Sequence, residues 1–328
     1  MKNNPSILIA PWQPAISIGE KVGIYQSIPY YSPEYQIWNQ ILSELDNLID
    51  VDFYYTNNYY NASISINEIF QSGTDVLGDA DYIDGNPYNG YFDIAINVAA
   101  LYEDSIQNNI NYYEYYKETA THELGHTLGL KHPFDNFGYL PADKNISSTE
   151  TIMAYGYPAN FTTLDLAALI EVNGIEDDWK NNETPVYRFY NNQSGGHFFT
   201  ASTQEAEYVA TKLFDNFSYE GTAFYAGGVN AVNSAEIYRF YNTKAGGHFF
   251  TASVAERDYV AKNMSSNYIY EGVAFKASPT KNEYSEEIYR FYNTKAGGHF
   301  FTASEGERDF VSTNMADSFI YEGIAFYA

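Results

Sequence analysis

The sequence predicts an α+β chain in two parts: a twisted sheet carrying a helix that holds histidines, then a pseudo-threefold domain of three β-β-α-β repeats. Three observations carry that expectation. A 51-residue unit recurs through the second half, the first half mixes helical and strand periodicities, and residues 122–132 read HELGHTLGLKH. With 328 residues and 45% hydrophobic content, the chain can bury a core in each of two domains.

Residues 1–20 read as an N-terminal arm or short propeptide, without the charged start and long apolar centre of a secretory signal peptide. The first domain then spans 21–176. Residues 33–49 place Ile37, Trp38, Ile41, Leu42, Leu45, Leu48 and Ile49 at helical spacing, with Ser32 and Pro33 suited to the start. Strands are expected at 51–56, 62–66 and 91–98, the last reading YFDIAINV with alternating apolar positions. Between the second and third lies GTDVLGDADYIDGNPYNG, a loop by its Gly, Asp and Asn content. Its DADYID portion lacks D-x-D-x-D-G spacing, so Ca²⁺ stays open as a cofactor without a motif to support it.

A linker at 177–186 leads to the repeats at 187–328. YRFYNNQSGGHFFTAS from Tyr187 returns as YRFYNTKAGGHFFTAS from Tyr238 and again from Tyr289. In each unit YRFYN alternates as a strand, Gly-Gly marks a turn and HFFTAS returns as the second strand. A helix such as 255–264 and a strand such as 268–275 complete the unit. One unit is too small to bury its own apolar face, so three should pack around a common axis.

Composition excludes several functions. The absence of cysteine removes disulfides and thiolate catalysis, and leaves His, Asp, Glu and Tyr as metal ligands. A formal charge of −25 repels phosphate and argues against nucleic acid as a partner. The longest apolar runs, 7–11 and 164–170, fall short of the roughly 20 residues of a membrane-spanning helix. Abundant Tyr and scarce Lys and Arg point to a secreted, extracellular protein.

HELGHTLGLKH carries the chemistry. His122 and His126, four apart on a helix, face one ion, and Glu123 stands beside the first as a general base for an activated water. Gly129 can end the helix in a left-handed conformation, letting the chain turn back so that His132 becomes the third ligand. Three imidazoles leave a fourth position open, the arrangement of catalytic zinc, although other divalent ions also accept imidazole. Chance would place H-E-x-x-H-x-x-G-x-x-H in a chain of this length on the order of once in ten thousand.

HELGHTLGLKHP, with Pro133, resembles the signature of metzincin metallopeptidases, and most of all the serralysin group. ETIMAYG supplies the Met and Tyr of that group's downstream turn. The resemblance implies one catalytic Zn²⁺ and a metzincin-like catalytic domain, with Met153 as a floor beneath the histidines. It makes Tyr155 a further metal ligand that swings away to support the oxyanion. It extends to LDLAALIEVNG and to YFDIAINV, similar to the substrate-facing edge strand, beside which a peptide would add at 93–98. The implied function is a secreted zinc endopeptidase acting on extracellular protein and peptide substrates. The serralysins' calcium-binding nonapeptide repeats are missing, and the 51-residue units stand in their place.

Each unit contributes one histidine, His197, His248 or His299, and a set of aromatic rings. These residues are either framework and core, or a site for a glycan or cell-surface ligand, or three imidazoles meeting on the axis around a second metal. The rival function for the whole chain is a non-catalytic surface- or carbohydrate-binding protein with a vestigial metal site.

Overall fold

Alternating isoleucines and valines build the central sheet of the first unit. In the computed structural model, residues 5, 8–9, 20–83, 91–135, 146–147, 149–155, 159–177, 183–227, 234–281 and 285–328 are described. Most of the expected N-terminal arm, Asp84 at the end of DADYID, and linker residues 178–182 lie outside them. The chain divides into two units, Met1–Glu176 and Asp177–Ala328. Among the described residues no helix is long and apolar enough to cross a membrane.

The first unit holds five strands, β1 (Glu20–Gln26), β2 (Val51–Tyr55), β3 (Ile64–Ile69), β4 (Gly78–Ile83) and β5 (Tyr91–Asn97), in the order β2-β1-β3-β5-β4. All pairs are parallel except β4 with β5. Val22, Ile24, Ile64, Ile66, Ile94 and Ile96 are fully buried, as alternate positions of strands covered by helices should be. Helix α1 (Pro33–Asp46) starts where the Ser32 side chain accepts from Tyr35 N–H, and buries Trp38, Ile41, Leu42 and Leu45. It stops three residues earlier than the periodicity suggests, yet Ile49 stays buried, bridging to Ile175. Helix α3 (Tyr112–Thr127) starts at an Asn111 cap. Trp38 Nε1 donates to Tyr116 Oη at 3.2 Å, and that hydroxyl donates to Glu68 Oε1 at 3.1 Å. One buried chain of hydrogen bonds thus ties α1, α3 and β3 together.

Two expectations need correction. The stretch expected as a loop at 73–90 contains β4, an antiparallel edge strand. Its alternation is hidden because most of its side chains are exposed, and an edge strand tolerates Asp79 and Asp81 where an inner strand would not. The strand expected at the edge, β5, is instead internal, paired with β3 on one side and β4 on the other. Helix α2 (Val98–Asn108) follows β5 without a break and was not expected. Its buried cap, Asn97, also donates to the carbonyls of Gln71 and Val76, fixing the chain just before β4. Helix α4 (Thr163–Asn173) opens with a capping box of Thr162 and Asp165.

The second unit repeats one pattern three times: strand, strand, helix, strand. The elements are β6 (Thr184–Asn191), β7 (His197–Thr200), α5 (Thr203–Lys212) and β8 (Phe217–Ala226); β9 (Ala235–Asn242), β10 (His248–Thr251), α6 (Val254–Asn263) and β11 (Tyr268–Ala277); β12 (Glu287–Asn293), β13 (Gly298–Thr302), α7 (Glu305–Asn314) and β14 (Phe319–Tyr327). Each set forms an antiparallel three-stranded sheet with its first strand in the middle. Phe199, Phe250 and Phe301, one from each repeat, meet edge to face with centroids 5.5–5.8 Å apart. Phe224, Phe275 and Phe326 form a second triangle at 5.7–5.8 Å. Both triangles belong to one buried cluster drawn from all three repeats, while smaller clusters such as Tyr238, Phe240, Phe249 and Val260 lie within a single repeat. Each buried ring contributes ~1.5–3 kcal/mol by area, and edge-to-face contacts add about 0.5–1.5 kcal/mol per pair.

Candidate metal centre

Helix α3 carries His122, Glu123 and His126 on its last turns. The helix ends in a turn set by Gly129, whose φ of 98° only glycine adopts cheaply. Gly129 N–H bonds the His126 carbonyl and Leu130 N–H bonds the Gly125 carbonyl, the paired bonds of a Schellman motif. The turn sends the chain back along the helix end, where Leu130 and Lys131 are pinned by a bridge to Ile9 and a hydrogen bond to Leu8. His132 therefore returns to the same point as His122 and His126.

The three Nε2 atoms converge. His132 Nε2 lies 3.1 Å from that of His122 and 3.2 Å from that of His126. Each Nδ1 faces an acceptor that cannot donate: the Ile152 carbonyl at 2.9 Å for His122, the Leu130 carbonyl at 3.0 Å for His126, and Asp135 Oδ2 at 3.1 Å for His132. Nδ1 must then carry the hydrogen in each neutral ring, which leaves three Nε2 lone pairs aimed at one another. Burial, then the neighbouring His126, pushes His122 down to about 3, and burial pushes His126 down to about 4. Burial also lowers His132, against the pull of Asp135. Protonation is therefore a poor way to relieve the repulsion, and a divalent cation fits the donor set. Among the described residues this trio is the one group that brings three ligand atoms together, all within 4.8 Å.

A small pocket of about 230 Å³ contains the trio together with Glu123, Tyr155 and residues Gly78, Asp79 and Ala80 of β4. The edge strand passes so close that a Cβ at Gly78 would meet Glu123 Oε1 at 2.8 Å. Burial, then the charge of Asp79, pushes the Glu123 carboxyl up to about 8. A cation held by the three imidazoles would pull that carboxyl back down, towards the ionised form a general base needs.

Met153 is fully buried in a single 3₁₀ turn, Ile152–Ala154, with its sulfur against Gly125 on the face of α3 between His122 and His126. Asp165, at the start of α4, holds that turn: its carboxylate accepts from Thr151 Oγ1, from Ile152 N–H at 3.0 Å and from Thr162 N–H at 2.8 Å. The turn in its place presents the Ile152 carbonyl to His122. Tyr155 follows at a positive φ of 57° and is 61% exposed. Its ring lies 5.1 Å from His122, nearly parallel, and 4.6 Å from His132. Phe134 stacks on His132 at 5.0 Å and on Tyr155 at 5.6 Å, so the three rings form one cluster.

Residues 122, 123, 126, 132 and 155 thus share one pocket. Sequence reading did not single out Asp135, Phe134 or Asp165, and it weighed the β4 residues only as a calcium loop, not as a wall of this pocket. Asp135 and Asp165 resemble any other loop or cap carboxylate, and β4 was hidden by its acidity. Among the described residues the three repeat histidines form no group at metal-ligand spacing, which speaks against the shared-metal alternative. Each pairs instead with a glutamate of its own repeat: His197 with Glu220, His248 with Glu271 and His299 with Glu322.

A family model described as a domain of unknown function, DUF5648, matches residues 185–328. Serralysin G of Dickeya chrysanthemi is 28% identical over 200 residues, covering 51% of this chain and 40% of that protein. The serralysin of Photorhabdus sp. (strain Az29) is 30% identical over 143 residues, covering 35% of this chain and 29% of that protein. The chain spans less than half the length of either curated relative, and its likeness to serralysins is partial, alongside a histidine trio that forms a candidate metal site.

Proposed function

We propose that the chain is a metzincin-like zinc endopeptidase of the serralysin kind, acting on protein outside the cell. The observation that carries this reading is the convergence of three Nε2 atoms whose Nδ1 partners are already engaged, beside a buried carboxyl. His122, His126 and His132 would hold the ion, with Tyr155, which lines the same pocket, as a further ligand. Bound zinc supplies Lewis acidity, acidifying a water and polarising a peptide carbonyl. Glu123 accepts the proton of the attacking water and passes it to the leaving amine. Tyr155, more than half exposed and held by ring contacts with His122, His132 and Phe134, would turn out of that cluster to donate its hydroxyl to the oxyanion. The substrate strand is expected beside β4, the free edge next to the pocket, rather than beside β5.

The test is digestion of casein and of a proteome-derived peptide library by the zinc-loaded full chain and by Glu123→Gln. Wild type should cleave, lose activity to a chelator and regain it with zinc. The variant should keep its metal and lose at least about a thousandfold in turnover, as expected when a general base is removed. A variant that cleaves like wild type overturns the role of Glu123. A zinc-loaded wild type that cleaves nothing in the library overturns the peptidase reading.

A further inference from the structure

The second unit holds a cleft of about 770 Å³ that the reaction proposed above does not use. It lies between the first and third repeats, walled by Tyr190, His197 and Glu220 on one side and by Glu307, Phe310 and Phe319 on the other. Its size falls within the ~300–1,000 Å³ of small-molecule sites.

The aromatic wall is not surplus core. Phe310 on α7 is 58% exposed, whereas the next residue, Val311, is buried. The same position in α5 and α6 is Tyr208 and Tyr259, exposed to 57% and 61%, each followed by a buried valine. Three helices therefore bury the valine and leave the ring beside it facing solvent. The recurrence of an aromatic ring at an exposed position in all three helices leaves three rings available to a ligand.

The rest of the wall is polar and nearly balanced in charge. Arg188 Nε bonds Glu220 at 2.8 Å and Arg188 Nη1 bonds Glu307 at 3.0 Å. Both carboxylates remain about one-third exposed, with acceptor capacity to spare. His197 Nε2 lies 3.4 Å from Glu220, its side chain is nine-tenths buried, and its Nδ1 has no hydrogen-bond partner. With Arg188 and Lys295 against Glu220 and Glu307, the cleft offers neither the cationic patch that attracts a polyanion nor the anionic one that attracts a polycation. Open aromatic faces beside carboxylate acceptors, without net charge, match a ring with an apolar face and a rim of hydroxyl donors.

We propose that this cleft binds neutral carbohydrate, a sugar ring stacking on Phe310 and Tyr190 while its hydroxyls donate to Glu220 and Glu307. The histidine–phenylalanine packing of this junction recurs at the other two. His248 packs on Phe198 and His299 on Phe249 at 5.0 Å, as His197 packs on Phe300 at 4.9 Å. A polysaccharide that reaches more than one junction gains avidity without any new contact.

The experiment uses the full chain carrying Glu123→Gln, so that binding is read independently of any cleavage. It is passed over insoluble cellulose, chitin, xylan and starch and titrated calorimetrically with the corresponding soluble oligosaccharides. Retention on at least one of these neutral polymers, released by its oligosaccharide, is expected. Adding Phe310→Ala should weaken the soluble ligand about five- to tenfold. Phe310→Tyr should preserve affinity, and neither change should alter the thermal unfolding midpoint, because the ring is exposed. Removing all three rings, with Tyr208→Ala, Tyr259→Ala and Phe310→Ala, should abolish retention on the polymer. Binding to none of the four, or affinity unchanged in Phe310→Ala, overturns the proposal.

Discussion

Single residues decide which nitrogen of each imidazole carries hydrogen, and so whether the trio can bind a cation at all. Two of the three acceptors are backbone carbonyls that no substitution removes, but the third is the Asp135 carboxylate. Asp135→Ala frees the His132 ring to rotate and to take the other tautomer, and it lowers the basicity of the remaining nitrogen. Zinc affinity should fall about 10- to 100-fold, the usual cost of losing such a partner. Asp135→Asn, which still accepts through its amide oxygen, should lose less. Competition against a chromophoric chelator measures both, and equal affinities for wild type and Asp135→Ala would show that the ring is held by something else, the Phe134 stack being the next candidate.

Elements position these residues through their ends. The helix bearing His122 and His126 stops where it must because Gly129 occupies the left-handed region, and the turn it closes supplies the Leu130 carbonyl that fixes His126. Gly129→Ala should cost about 1–2 kcal/mol from the forced conformation alone. It should also weaken zinc binding, since His132 is delivered by the same turn. Chemical denaturation of the metal-free chain isolates the first effect; wild-type stability there would mean that the turn relaxes into another form. This element was legible in the sequence because its face and its stop each leave a local mark: the four-residue histidine spacing and Gly129. The repeats were legible because they recur. Strand β4 was not, since an exposed edge has no buried face to impose alternation, and its Asp and Gly residues mimic a loop. Helix α2 was missed because β5 runs into it with no breaker between, Asn97 ending one and capping the other. Met153 could be given its place by resemblance alone, since one buried methionine looks like any other until the sulfur is seen against the histidine-bearing helix.

At the scale of the whole molecule, the second unit is closed by a ring of charge around its phenylalanine triangles. Arg188 reaches Glu307 in the third repeat, Arg239 reaches Glu205 in the first, and Arg290 approaches Glu256 in the second at 3.8 Å, so each repeat is bonded to the next all the way round. Burial alone would raise the carboxyls of Glu205, Glu220 and Glu271, but Arg239 and Thr200 at Glu205, and an Arg and a His at each of Glu220 and Glu271, outweigh it and hold all three below the usual 4.5. The His299 hydrogen bond does the same for Glu322. Burial holds His299 itself below 6.5, despite the pull of Glu322. In every one of these groups the unfolded chain binds its proton at a higher pH than the folded one, so stability rises with pH across each window. Acidification should therefore weaken this unit in two stages. The first begins as pH falls below 6.5, where an unfolded His299 charges and the folded one resists, and the second begins below 4.5, where the carboxylates of the ring give way. Glu183, raised by burial and by Glu286, works in the opposite direction and should only blunt the second stage. Hydrogen exchange resolved on peptides from 185–328, corrected for intrinsic rates, reads the unfolding free energy of this unit at each pH. Replacing His299 with Gln should remove the first stage and leave the second. A free energy that stays flat from pH 7 to pH 4, or a first stage that survives in His299→Gln, would mean that the ion ring and its buried imidazole are not what couples the repeats to protons.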